Sequence, residues 1–385
     1  MTLTPFAETP STGRLAPRAP LELTGGRRDD ARMLVAWRSD DRLVEATMTD
    51  LAAFLGPGDV VVVNTSATRP AALVTEGIGD VVPTRVGGPD DGAPAGAGSG
   101  AGPAVDDGLV VHLSTELDDP GLWVVEPRHR SGAGTTPWLD FRADGPIVLP
   151  GGARLQLIEP YRPEGRAATG HPIRLWTARL RLPRPLDEHL SRFGRPIRYG
   201  TDARPWPLSA YQTVFASVPG SAEMPSAARG FTPELVTRLV SHGVVVAPIT
   251  LHTGVASQEA GETPYPERYV VPPATAAAVN HARSGGRRIV AVGTTATRAI
   301  ESVAGPTGRV HAGGGWTDLV ITPERGVWAI NGLISGWHDP EASHLMLVEA
   351  VAGRGTLDRS YARALDAGFA GHEFGDFHLV LPSSP

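Results

Sequence analysis

"VVVAPITLHTG", residues 244–254, is an apolar run that stops in a histidine, a hydroxyl and a glycine. Buried strands of parallel sheets read this way: both faces are covered, alternation is lost, and polarity returns only at the rim. "VVVVN" ending at Asn64 and "RIVAVGTT" ending at Thr295 have the same form. Helical patterns separate the runs. "TPELVTRLVSHG" (232–243) offers Thr232 as a cap, Pro233 for the first turn and Glu234 for the positive helix end. It puts Leu235, Val236 and Leu239 on one face and closes at Gly243, while "TATRAIESV" opens on a threonine and continues in helix formers. An α/β domain follows. Ligands in such sheets collect outside the carboxyl ends of the strands, so Asn64, His252 to Gly254 and Gly293 to Thr295 are expected to share one pocket.

Residues 70–159 have another rhythm. "VVPTRV", "LVVHLST", "LWVVE" and "RLQLIE" are short runs separated by Gly/Pro turns, which predict a small barrel-like β domain inserted into the larger one. The larger domain is then 1–69 with 160–385, interrupted after its first strand, "VVVVN". The tract Gly87–Gly108, made almost wholly of Gly, Ala, Pro, Ser and Asp, has no side chain to anchor a core and is expected to be a disordered loop.

Composition removes whole classes of chemistry. The chain has 385 residues with no cysteine, and all 35 basic residues are arginine. Disulfides, thiolate nucleophiles, Cys-bound zinc, iron–sulfur clusters, Schiff bases and P-loop lysines are therefore excluded. No apolar run approaches the ~20 residues that span a bilayer, and the N-terminus has no basic start or hydrophobic segment, which predicts a cytoplasmic protein without membrane partners. The formal charge of −6 gives no general attraction to nucleic acid. Locally, ten arginines stand against four acids between residues 162 and 204, a belt that can meet phosphates, or simply the default basic residue of a lysine-free protein. The sequence carries no pattern that sets an oligomeric state.

With Cys and Lys gone, His, Asp, Glu, Tyr, Ser and Thr remain as nucleophiles and bases. "HEFGDFH" lacks the i, i+4 histidine spacing of a zinc helix, so no metal is expected. His252 follows the first run directly and is a candidate general base; a structural histidine at a strand end fits the same letters. Glu267, in "PYPERYVVP", sits in a proline-fixed aromatic segment that can raise a carboxylate's pKa or aim it at a cation. "GTTATR" reads as an anion-binding strand-to-helix turn, with Thr294, Thr295 and Arg298 as donors, but lacks the full dinucleotide glycine pattern. His338 precedes a helix begun by Pro340 and Glu341, and Trp337 can stack on a base or fill a core. In "PSAARGFTPE" (225–234) the small residues from Ser226 let a ligand approach the backbone while Arg229 presents a fork matched to a carboxylate or phosphate; an arginine left in solvent is the alternative.

Taken together, "RRDDARMLV", "LGPGDVVVVN", "YQTVFA", "PSAARGFTPEL", "LHTG", "VGTTATRAIES", "WHDPEASHLMLV" and "FGD" occur in the order seen in S-adenosylmethionine:tRNA ribosyltransferase-isomerase, and the chain resembles that family along nearly its whole length. The resemblance implies a larger α/β domain carrying an inserted β-barrel. It also implies transfer and isomerisation of the ribosyl part of S-adenosylmethionine onto a 7-aminomethyl-7-deazaguanine of tRNA, with adenine and methionine released and an epoxycyclopentane left. S-adenosylmethionine is then a substrate, and no metal or redox cofactor is called for. The candidate site residues are then His252, Glu267 and His338 as catalytic groups, with His252 the favoured base. Asn64, Arg69, Tyr211, Gln212, Ser226, Arg229, Thr232, Thr253, Gly254, Thr294, Thr295, Arg298, Trp337 and Asp376 are the candidate contacts to the substrates.

The chain departs from the family at telling places. The family's P-T-A-G-L-H-F-T becomes Pro225 to Thr232 with Ala228, Arg229 and Gly230 in place of Gly, Leu and His; its N-D-T-R becomes Asn64, Thr65, Ser66 and Ala67, with Arg69 close by. His252 and Gly254 keep the first His and Gly of H-V-G-A-G-T-F, His338 keeps the histidine of H-x-P, and Gly375 with Asp376 keep G-D. An arginine entering one position before the lost histidine suggests an anion site in a remodelled donor or acceptor pocket. Two readings of the departures compete with the family reaction: a related enzyme using a small acceptor or an elimination, and a non-catalytic binder of an adenosyl ligand or RNA.

Overall fold

The computed structural model describes residues 15–75, 108–162, 172–199, 204–255, 264–339, 344–371 and 373–382. The tract 87–107 and "VVPTRV" lie outside them, as do Pro340 and Glu341. The chain forms two compact units, 1–68 with 209–385, and 69–208.

The larger unit is built on a mixed nine-stranded sheet. At its centre four strands run parallel, in the order Val245–Leu251, Val60–Asn64, Ile289–Val292 and Gly332–Gly336. The three runs expected as buried strands are thus neighbours. Val60 and Val62 turn to one core with Ile249 and Ala291, while Val61 and Val63 turn to the opposite core with Val290 and Leu235. Two covered faces explain the uninterrupted valines. Thr232 accepts from the Leu235 amide as cap of the helix Pro233–Ser241, whose Leu235 and Leu239 are buried. The helix Gly293–Ser302 begins directly after its strand, two residues earlier than its threonine suggests.

Val60–Asn64 is not the first strand of this unit. Arg32–Trp37 and Leu43–Thr47 precede it, the former pairing parallel with Phe377–Leu381, which closes the sheet against Gly332–Gly336. The smaller unit holds a seven-stranded antiparallel sheet, giving an α/β fold with a small barrel-like β unit. It extends further than the turn spacing indicates. Trp176–Arg181 pairs with both Ala153–Pro160 and Leu122–Ser131, so residues 160–208 belong to the smaller unit.

Candidate functional site

Four parallel strands deliver their carboxyl ends to one edge of the sheet: Leu251, Asn64, Val292 and Gly336. The antiparallel strand Phe377–Leu381 starts at that same edge, which brings Asp376 to it. Asn64, fully buried, ties the rim together. Its Nδ2 donates to the Leu251 carbonyl at 2.8 Å and lies 3.3 Å from Thr295 Oγ1, and its Oδ1 accepts from the amides of Leu251 and Ser66 at 3.0 Å each. Every hydrogen-bonding atom of the amide is used between three chain segments.

His252 sits next to this knot. Its Nδ1 is 2.7 Å from Ser66 Oγ, which is 2.6 Å from Ser221 Oγ, and Ser221 Oγ accepts from the Thr253 amide at 3.0 Å. The ring lies against Gly220 where any Cβ would occupy imidazole space, so only glycine allows this seat. Thr253 Oγ1 donates to the Glu223 carbonyl, and the Gly254 amide donates to Glu267 Oε1 at 3.2 Å. The other oxygen of Glu267 pairs with Arg298 Nη1. Burial pushes the Glu267 carboxyl above its usual range, with the Arg298 guanidinium and the Gly254 amide pulling the opposite way. Arg298 also donates to the carbonyls of Leu319 and Thr317, so its cation is spent on holding Glu267 beside the helix Gly293–Ser302. Thr294 is buried in the first turn of that helix and Thr295 is half-buried at the rim.

His338 follows the fourth parallel strand. Its backbone exchanges hydrogen bonds with the Tyr361 hydroxyl, its ring stacks on His344, and it lines a small cavity of about 10 Å³ with Ser226, Gly375 and Asp376. The Asp376 carboxylate accepts from the amides of Arg32 and Ala370 and pairs with Arg18 at 2.8 Å. The turn Ser226–Ala228 packs on the helix Gly293–Ser302 and on the strand Gly332–Gly336.

Other sequence candidates turn elsewhere. Arg229 is buried, donates to both oxygens of Glu22 at 2.5 and 2.6 Å and to the Ala210 carbonyl, and stacks over Phe374, so its charge is matched from within the chain. Gly230 has no room for the family's histidine: a Cβ there would stand 2.6 Å from Phe377 and 2.8 Å from Met48. Trp337 is 1% exposed, stacked on His378 and edge-on to Tyr361 and Phe369, which makes it a core residue and not a base platform. Thr232 is engaged by Asp29 as well as by its helix, and Gln212 clamps the amide and carbonyl of Thr68. The Tyr211 ring packs on Phe374 while its carbonyl accepts from Thr68, and Arg69 pairs with Asp187 at 2.7 Å. Ser221 and Gly220 are not singled out by the sequence, where a serine following a glycine in "VPGS" is their one faint signal, and Ser66 shows there only as the residue at the family's threonine position. Among the described residues no group of three or more His, Asp or Glu side chains is placed to hold a metal, and no helix is long and apolar enough to cross a membrane.

Comparison with known proteins places this geometry in context. A family model described as queuosine biosynthesis protein matches residues 13–86 and 112–380. The S-adenosylmethionine:tRNA ribosyltransferase-isomerase of Moorella thermoacetica is 33% identical over 369 residues, covering 92% of this chain and 94% of its own. That of Thermus thermophilus is 32% identical over 364 residues, covering 92% and 93%. A solved S-adenosylmethionine tRNA ribosyltransferase from Thermotoga maritima aligns with a TM-score of 0.48 at 23% identity, over 96% of this chain and 99% of that one.

Proposed function

The chain belongs to the queuosine biosynthesis protein family, and on that premise we propose that it is an S-adenosylmethionine:tRNA ribosyltransferase-isomerase. It moves the ribosyl part of S-adenosylmethionine to the aminomethyl group of a 7-deazaguanine in tRNA, releasing adenine and methionine. The observation that carries the site is the Asn64 knot, which holds the His252 and Thr295 rims within one hydrogen-bonded cluster at the carboxyl ends of the parallel strands.

The chemistry suits these residues. A sulfonium acidifies the protons on the adjoining ribose carbon, so a positioned base can remove one and leave the electron pair on that carbon beside the positive sulfur. His252 and Glu267 are the groups at the rim able to take part in that transfer, and the raised pKa of Glu267 makes its carboxylate a better proton acceptor than one in water. His338, Ser226 and Asp376 border a small cavity along the same edge, which supports their standing beside the substrate seated at the rim. The reaction needs no electron donor and no Lewis acid, and the enzyme works in the cytoplasm, where tRNA is modified.

Purified protein incubated with S-adenosylmethionine, with and without tRNA carrying the aminomethyl-deazaguanine, should release adenine and methionine only when that tRNA is present, and should do so undiminished in a chelator. Turnover without RNA, or none in either mixture, would overturn the assignment.

A further inference from the structure

The hydroxyls beneath His252 leave one consistent arrangement of protons. Ser221 and Ser66 are 0% and 1% exposed, so each must place its proton on a neighbour within the protein. Ser221 Oγ already accepts the Thr253 amide, and the acceptor within reach of its own proton is Ser66 Oγ at 2.6 Å. Ser66 Oγ, having accepted that bond, turns its own proton to His252 Nδ1 at 2.7 Å. The reverse direction would put the Ser221 proton into a buried space with no acceptor among the described residues, at a cost of roughly 1–3 kcal/mol.

We infer that Ser66 and Ser221 are positioning residues that fix His252 as the neutral imidazole with its proton on Nε2. The inference deepens the proposed function, since it rests on His252 standing at the reacting centre. In this form Nε2 carries the proton and is a donor, so the ring does not abstract a proton at that nitrogen. Glu267 is left as the group at the rim that takes the ribose proton. A neutral imidazole donor also polarises an acceptor without first having to be charged. Ser66 stands where the family pattern has threonine, so the hydroxyl that sets the direction of the chain is kept although the neighbouring Asp and Arg positions are not.

The test reads the ring itself. In the full-length protein labelled with ¹⁵N-histidine at neutral pH, the His252 signals, assigned by their loss in His252→Gln, should show Nε2 protonated and Nδ1 bare. Ser221→Ala frees Ser66 to accept, and the Nδ1–H form should then rise at least fivefold. Ser66→Thr should keep the wild-type signature, and Ser66→Ala should lose it in a protein that still folds but melts earlier, because the buried Ser221 proton loses its acceptor. With substrates, Ser66→Ala should lower kcat about tenfold with KM for S-adenosylmethionine within about twofold, and Ser66→Thr should restore it. A wild-type ring protonated at Nδ1, or a ring indifferent to both alanine variants, would overturn the inference. Because the spectrum needs no substrate, an enzyme lacking the transferase reaction would refute the proposed function and leave the tautomer decided on its own.

Discussion

Arg229 stands where the family pattern has leucine, and its surroundings explain how an arginine is tolerated. Glu22 is drawn onto it by two short charge-assisted bonds, and Arg28 braces the same carboxylate at 3.0 Å while holding the Gln212 and Ser209 carbonyls. Nothing in the letters "PSAARG" discloses a partner 207 residues upstream, which is why the stretch reads as an open anion site. Removing that partner strands a buried guanidinium. Glu22→Ala should therefore destabilise the protein by about 2 kcal/mol, below the 3–5 kcal/mol of a wholly buried pair because the carboxylate keeps some exposure. The double variant Glu22→Gln with Arg229→Leu should recover most of that loss, since removing both charges together leaves no buried charge unpaired and the glutamine keeps its partial exposure to water. Calorimetric melting measures both. Affinity for S-adenosylmethionine in the double variant should stay within about twofold of wild type; a tenfold loss without loss of stability would return Arg229 to the ligand.

At the scale of the element, the strands and helices that packing simplifies are the ones the sequence shows. A strand covered on both faces becomes a block of valine, and a helix with a threonine cap and a first-turn proline announces its start, so Val60–Asn64 and Pro233–Ser241 are read within a residue or two. Edge and late strands hide: Phe377–Leu381 is five residues long, and its pairing on one side with Gly332–Gly336 and on the other with Arg32–Trp37, more than 300 positions away, makes it a strand. The convergence of the rims is legible for the same reason as the strands, because parallel neighbours must end together. The serine pair is not, since Ser66 and Ser221 meet through a two-stranded parallel pairing that joins Ser66–Thr68 to Val218–Ser221. Asn64 tests how firmly the rim is tied. Asn64→Leu keeps the volume but leaves the Leu251 amide and carbonyl and the Ser66 amide without their side-chain partner, and at roughly 1 kcal/mol for each it should cost about 3 kcal/mol. Hydrogen exchange should quicken at Leu251 and Ser66 before it does in the helix Pro233–Ser241; uniform quickening would mean that Asn64 stabilises the unit generally and does not organise the site.

For the whole molecule, the family match breaks between residues 86 and 112, over the Gly/Ala/Pro tract, and the smaller unit that carries this tract is stabilised in its own way. Its boundary near 208 is not marked by composition, because Trp176–Arg181 resembles any other half-buried strand until its partners are known. Neither is its interior. Glu126, Arg128, Arg174 and His112 are all buried there, with Glu126 Oε1 accepting from Arg128 at 2.5 Å and from Arg174 at 2.9 Å. Burial alone would raise the Glu126 carboxyl, but His112, Arg174 and Arg128 outweigh it and take it from 4.5 down to about 2. A carboxyl lowered by folding contributes stability fully above its unfolded pKa and loses it as pH falls through the folded value, here from 4.5 toward about 2. At about 1.4 kcal/mol per unit the contribution is about 3 kcal/mol. His112 acts earlier: burial lowers it from 6.5, so the unfolded chain takes up a proton that the folded one refuses, and stability starts to fall once pH drops below about 6.5. Acid should therefore loosen the smaller unit in two stages, first as histidine protonates in the unfolded chain and then, more steeply, as the carboxylate does. Amide exchange in Leu109–Glu116, followed from pH 7 to pH 3 against the intrinsic rate, should show both stages, and His112→Leu should shrink the upper one, to which the buried His189 of the same unit also contributes, and move the lower one to higher pH, since His112 helps to lower Glu126. Glu126→Gln should abolish the lower stage and destabilise the unit at pH 7 by roughly 3–5 kcal/mol, because two buried guanidinium groups lose their counter-charge. A Glu126→Gln protein as stable at pH 7 as wild type would show that the buried charges are compensated by other means.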